Sequence, residues 1–138
     1  MIDKDVYTEM LEISMRLAER DPLTPAETII SDVMWLGTQA FFDGLIGWIA
    51  NTSCERLEGT LSALAETGSP EVLHVVRAAL ATACIDPGSV SDSERERRVY
   101  SLSDPQVEQL HALDSRFHDV FEPSLELLRR YAVEHAVN

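Results

Sequence analysis

The stretch TPAETIISDVMWLGTQAFFDG, Thr24 to Gly44, decides how the chain is read. Thr24 is a residue type that caps helix N-termini, and Pro25 follows in the first turn, where its missing N–H goes unmissed. Glu27 stands three residues after Thr24, the spacing of a capping box. Behind this start signal Ile29, Val33, Leu36 and Ala40, with Ile30, Met34 and Phe41 beside them, recur at three-to-four spacing. A long amphipathic helix is predicted, and Gly44 after Asp43 is expected to end or bend it. A short apolar segment, Leu45 to Ala50, comes next.

The same signals recur on both sides. Upstream, Val6, Met10, Ile13 and Leu17, with Tyr7, Leu11 and Ala18, predict a helix reaching Arg20 and broken by Asp21-Pro22. Downstream, Asn51-Thr52-Ser53 interrupts the pattern, and Ser53 can cap a helix holding Leu57, Leu61 and Leu64 that Gly68 is placed to end. Ser69-Pro70-Glu71 restarts the chain. From Pro70 to Cys84, Val72, Leu73, Val75, Val76, Ala79, Leu80 and Ala83 are apolar around most of the circumference, so this helix is expected to be central. Asp86-Pro87-Gly88 stops it. The polar run Ser89 to Ser103, with Arg95, Arg97 and Arg98, reads as a mobile loop with room for one helical turn. Asp104-Pro105 begins a helix with Val107, Leu110, Leu113, Phe117 and Phe121 inward, and Glu122-Pro123 begins a last one through Leu125, Leu128 and Ala132. Two-residue alternation is absent. The fold expected is all-α, a single compact domain of six or seven helices over residues 1–138 with a polar loop at about 86–103.

Composition bounds the function. A chain of 138 residues with 45% hydrophobic content supports one core and makes a two-domain enzyme unexpected. Asp and Glu number 24 against 11 Lys and Arg, a formal charge of -13. Long-range repulsion therefore disfavours direct binding to nucleic acid or to an anionic membrane. The charge is uneven, net -9 over residues 1–71 and net -4 over 72–138. No apolar run reaches ~18 residues, and Asp3, Lys4 and Asp5 open the chain in place of a basic segment and an apolar one. A soluble, unsecreted, cytoplasmic protein is expected. Cys54 and Cys84 each fall inside an apolar helical pattern and read as buried thiols in a reducing compartment.

The segment Phe42-Asp43-Gly44-Leu45-Ile46-Gly47-Trp48-Ile49-Ala50-Asn51-Thr52-Ser53 resembles the signature of the bacterial DNA-mimic protein family, typified by a small acidic neisserial protein. In that family an Asn-Gly-Gly-Phe is followed by Gln-Tyr-Phe and then Asn-Ser. This chain matches at Gly44 and Asn51, conservatively at Leu45, Trp48, Ile49 and Thr52, and departs at Phe42, Asp43 and Gly47. The resemblance extends to an Ala-Leu-x-x-x-Gly step at Ala63, Leu64 and Gly68, a Leu-Asp-x-x-Phe at Leu113, Asp114 and Phe117, and a closing Leu-Leu-x-x-Tyr at Leu127, Leu128 and Tyr131. It implies an all-helical dimer without known catalysis, presenting carboxylates to a DNA-binding partner such as a helix-turn-helix repressor. The signature residues themselves read as structural: a glycine and an asparagine at a helix junction, and Trp48 packed inside.

On the first helix Asp5, Glu9, Glu12 and Glu19 fall at helical spacing opposite the apolar stripe. Neighbours four apart are about 6 Å apart along the axis, comparable to successive phosphates on a DNA strand, so such a row can engage Arg and Lys arranged for phosphates. The bland alternative is a solvated face with Arg16 paired to Glu12. Asp32, Glu55, Glu58 and Glu66 are candidates to extend the patch. Arg95, Arg97 and Arg98 read as a solvated loop with internal salt bridges in preference to an anion site. His111 and His118, with Glu108 and Glu122, suggest a metal, but seven residues of helix put the histidines about 10.5 Å apart, too far for one ion. Asp114 with His118 can chelate, yet Asp114 belongs to the family-like step and reads as structural. His74 is expected to be partly buried and hydrogen-bonded, and His135 to lie near a fraying end.

No nucleophile elbow, HExxH, phosphate loop or CxxC occurs. Neither catalysis nor a cofactor nor a metal is expected. The leading expectation is an acidic interaction protein, a homodimer that occupies the DNA-binding surface of a regulator. Trp35, Phe41, Phe42 and Trp48 are many large apolar groups for one stretch of monomer core, so some are expected at the dimer interface. The alternatives are an immunity or stress-accessory protein gripping an effector through an apolar groove, and a hydrolase with an unrecognised site.

Overall fold

The computed structural model describes residues 5–67 and 69–138. Among them are six helices and no strand: α1 (Val6–Leu17), α2 (Pro25–Ala50), α3 (Cys54–Glu66), α4 (Pro70–Thr82), α5 (Asp92–Tyr100) and α6 (Asp104–Glu134). The all-α expectation holds. Asp3, Lys4 and the predicted terminator Gly68 lie outside the described residues.

The capping box forms as its spacing requires. Thr24 Oγ1 accepts from the Glu27 N–H at 3.2 Å, and the Glu27 carboxylate accepts from the Thr24 N–H at 2.9 Å and pairs with Arg20. From this start α2 runs through the middle of the molecule and touches all five other helices. It is the central helix, not α4, whose Glu71, His74, Arg77 and Ala81 face outward. Ile30, Val33, Met34, Leu36 and Ala40 of α2 meet Val72, Val75, Val76 and Leu80 of α4 and Leu110, Phe117, Phe121, Leu125 and Leu128 of α6 in one core. Phe117 and Phe121 stack at 4.8 Å between ring centres. Each contributes roughly 1.5–3 kcal/mol by leaving water. The ring of Phe121 lies where a Cβ on Gly37 would be, 2.5 Å away, so glycine lets α6 approach α2 closely.

Gly44 breaks α2. Its φ of 73° and ψ of 176° belong to a region open essentially to glycine alone, and helical geometry resumes on the far side. The break leaves the N–H of Leu45 without an intrahelical acceptor. Asp114 of α6 reaches across and accepts it at 2.8 Å. Beyond the break Leu45, Trp48 and Ile49 are buried, so the kink turns the end of α2 back into the core.

Three local readings change. α1 ends at Leu17, short of Arg20, because Ala18, Glu19 and Arg20 offer nothing to bury and close the helix in tight turns. The segment around 86–103 contains a helix of nine residues, α5, where a loop was expected. Its apolar period is almost absent, but Ser91 accepts from the Glu94 N–H at 3.1 Å, Asp92 and Glu94 occupy the first turn, and Arg97 and Arg98 the last. That order of charge suits the helix dipole and allows Glu94 to bond both arginines. Arg95 is not solvated: it is buried and donates to the Ile49 and Ala50 carbonyls at 2.8 and 2.6 Å, while Asp92 accepts the Cys54 N–H at 2.7 Å. Thus α5 satisfies the end of α2 and the start of α3 together. Finally, α6 is one helix of 31 residues with Pro123 inside it. The buried stripe Phe117, Phe121, Leu125, Leu128 continues across an exposed proline ring, and its burial outweighs the lost backbone bond.

The α4 terminus corrects a fourth expectation. Cys54 is buried, but Cys84 is exposed at φ 59° in the reversing turn that ends α4. There the Ile85 N–H bonds the Leu80 carbonyl at 2.9 Å and the Cys84 N–H that of Ala81 at 3.0 Å.

Two outcomes test this architecture. Gly44→Ala meets both the forbidden backbone region and an Asp114 oxygen 2.9 Å from the new Cβ, and Asp114→Ala strands the Leu45 N–H. Each should cost about 1–3 kcal/mol in urea unfolding. Wild-type stability in either variant would show that the break is not held as described. Secondly, hydrogen bonds from Arg97 and then Arg98 hold the Glu94 carboxyl down at about 2 against an ordinary 4.5. Because its folded value is depressed, the stability it contributes is complete above 4.5 and lost as pH falls toward about 2. Glu94→Gln should flatten the acid limb of the urea midpoint across that window, and an unchanged slope would exclude the link.

Candidate partner-binding surface

The first-half carboxylates separate into outward groups and groups that the fold consumes. Asp5 is exposed and caps α1, accepting the Thr8 N–H at 2.7 Å, which holds its carboxyl below the ordinary value. Glu9, half-buried, pairs with Arg129 of α6 at 3.1 Å. Glu12, also half-buried, lines a cleft between α1 and the end of α6 together with Glu9, Arg16 and Arg129. Glu19 is exposed but lies past the helix end, so it leaves the row predicted for it. On α3, Glu55, Glu58 and Glu66 are all exposed.

Asp32 is a correction: it is 6% exposed and does not extend any surface patch. Its carboxylate accepts from Arg56 Nε at 2.9 Å, and Arg56 also reaches the Ser31 hydroxyl at 3.1 Å and stacks over Trp35 with 4.8 Å to the ring centre. Burial pushes the Asp32 carboxyl up, and the arginine opposes that rise. Position 32 lies on the α2 face that α3 covers, which a charge list cannot reveal.

The contacts of Ser31 and Trp35 relate the two acidic helices. Arg56 of α3 holds them from one side, and from the other they line a groove of about 240 Å³ with Leu11, Met15 and Ala18 of α1. α1 and α3 therefore flank one stretch of α2, while Glu9 and Glu12 line the cleft with α6 and Glu58 lies beside the turn at Gly88. Carboxylates in such positions form charge-assisted hydrogen bonds to Arg and Lys. Exposed pairs are worth about 0.2–1 kcal/mol each, so recognition by this surface requires several at once.

Of the four large aromatic groups, Trp48 is wholly buried and Trp35 half-buried, its Nε1 donating to Thr52 at 2.9 Å. Phe41 is 39% exposed and packs on Tyr7, His118 and Phe121, while Phe42 is 81% exposed. Phe41 lies on the apolar stripe of α2 and Phe42 lies off it, and the helical phase before the break turns Phe42 outward. His74 is exposed, not partly buried, and His135 stacks on Tyr131 at 3.9 Å between ring centres. His111 and His118 are exposed, and among the described residues no three His, Cys, Asp or Glu side chains are grouped to hold a metal ion.

Three of the family-like positions, Gly44, Asn51 and Thr52, fall at helix junctions. Gly44 makes the break that Asp114 caps, Asn51 closes α2 and donates to Gln39 at 3.1 Å, and buried Thr52 takes the Trp35 bond. Two departures fit each other: the Cβ of Asp43 lies 2.1 Å from where a Cβ on Gly47 would be. Bulk present at one position is absent at the other.

No curated protein and no solved structure matches the chain. The family model for DMP19-like proteins matches residues 21–135, a span holding the break, its carboxylate cap and the closing Tyr131. The chain belongs to the DMP19-like protein family.

Proposed function

We propose that this protein is a non-enzymatic DNA mimic that occupies the DNA-binding surface of a transcription regulator or another DNA-binding protein. The observation that carries the reading is the exposure of Glu19, Glu55, Glu58 and Glu66, beside Asp5, in a member of this family whose net charge is -13. Arginines and lysines shaped for phosphates meet carboxylates here, and the same charge keeps the protein itself off nucleic acid and anionic membrane. In this reading the partner is a cytoplasmic regulator, and the protein acts as a homodimer with Phe42 at the contact, because an 81% exposed phenyl favours cover. The groove holding Met15, itself 63% exposed, favours the second reading, an immunity or accessory protein whose anchor is apolar.

Replacing Glu19, Glu55, Glu58 and Glu66 together by Gln preserves shape and helix propensity. A regulator captured at low salt and released by competing duplex DNA should bind this variant roughly tenfold or more weakly, with a shallower salt dependence. Met15→Asp should leave that binding nearly intact. The reverse pattern would reject mimicry in favour of the groove.

The dimer has its own check. Sedimentation at tens of micromolar, on the order at which weak dimers assemble, should show a dimer that Phe42→Asp converts to monomer without loss of helix content. A parent that is strictly monomeric would remove the dimer from the reading.

A further inference from the structure

On the α4 and α5 side of α3, an open cavity of about 540 Å³ lies where α3, α4, α5 and the 85–90 turn meet. Its walls include Leu61, Leu80, Ile85 and Val90, and Arg77 of α4 and Arg98 of α5 border it. Its volume and its lining, mostly apolar with a few placed polar groups, are those of small-molecule sites, and its wide mouth leaves one side of a ligand in solvent. The placement of the charges determines what class of molecule fits.

Arg98 is held in position. Its Nε donates to Glu94 at 2.9 Å and its Nη1 to the Cys84 carbonyl at 2.5 Å, which leaves Nη2 to offer. Arg77 is exposed and has no carboxylate within ion-pair distance among the described residues, although acids outnumber bases 24 to 11 in the chain. Asp86, the carboxylate that also borders the cavity, is turned to its own loop: Oδ1 accepts the Gly88 N–H at 3.3 Å and Oδ2 the Ser89 hydroxyl at 2.9 Å. Asp86 keeps its charge at the rim but has its oxygens occupied, so the unused charge-assisted donors beside the apolar walls belong to guanidinium groups, whose fork matches a carboxylate.

We propose that this cavity binds a small amphiphilic monocarboxylate, its hydrocarbon part against Leu61, Leu80, Ile85 and Val90 and its carboxylate at Arg77 and Arg98. The site adjoins the acidic surface at α3 but needs no partner protein. Exposed Cys84 also borders the cavity, whereas Cys54 is buried, so one thiol reports occupancy.

Octanoate is the probe and 1-octanol its uncharged counterpart. Octanoate should bind with a dissociation constant on the order of a millimolar by calorimetry, as expected for a ligand of its size, and should slow iodoacetamide labelling of Cys84 severalfold. Octanol should bind roughly tenfold more weakly, and Arg77→Gln should reduce octanoate to the octanol level while leaving the urea midpoint of the free protein unchanged. Equal binding of the two probes by the parent protein, a comparison that needs no variant, would overturn recognition of the carboxylate. Binding that leaves Cys84 labelling unaffected would place the ligand elsewhere and overturn the site. Absence of octanoate binding at ten millimolar, about tenfold above the expected constant, would overturn both.

Discussion

A helix broken at a glycine exposes backbone groups that must find partners, and for Leu45 the partner lies 69 residues away, in the Asp114 carboxylate. The consequences spread because α2 touches every other helix. Beyond the break, Leu45, Trp48 and Ile49 turn inward. Without it, a continuous helix would carry the Trp48 segment along a straight axis and away from the core. One hydrogen bond between distant parts of the chain therefore connects the path of the central helix to its docking on α6.

The second fixed point is the junction of α2 and α3, and it too is held by charge. Arg95 takes the last carbonyls of α2 while Asp92, three residues earlier, takes the first N–H of α3. The oppositely charged ends of two helices are satisfied by one short helix. This use of acids has a functional consequence. Asp5, Glu27, Asp32, Asp92, Glu94 and Asp114 are engaged in caps and ion pairs, so the composition overstates the charge available to a partner. What remains outward on the first half is carried by Glu19, Asp21, Asp43, Glu71 and the three glutamates of α3.

Legibility in the sequence followed the kind of signal. Local grammar is readable: the Thr24 to Glu27 box and the Ser53 cap depend on residues within a few positions of one another, and Gly44 marks its break by residue type although the carboxylate that holds it lies 69 residues on. The continuity of α6 and the existence of α5 were misread for opposite reasons. At Pro123 a strong local breaker conceals a buried stripe that continues unbroken, and at 92–100 a helix held by caps, charge order and one buried arginine lacks the apolar period by which helices are recognised. Asp32 and Cys84 show the third limit. Which face of α2 lies under α3, and which way the turn after α4 sends its thiol, are decided by tertiary contacts and by a positive φ that no spacing records.

The departures from the family signature extend this lesson to the surface. At Asp43 and Gly47 bulk is gained at one position and absent at the other, and the two positions meet, so the junction keeps its packing. Phe42, the third departure, has no such compensation because it needs none: it projects outward and alters the surface instead of the fold. The break at Gly44 thus separates two kinds of residue along a few positions of chain. Those behind it face Asp114 and the core, where the geometry of the junction leaves no room for change, whereas Phe42 before it faces solvent and touches none of that packing.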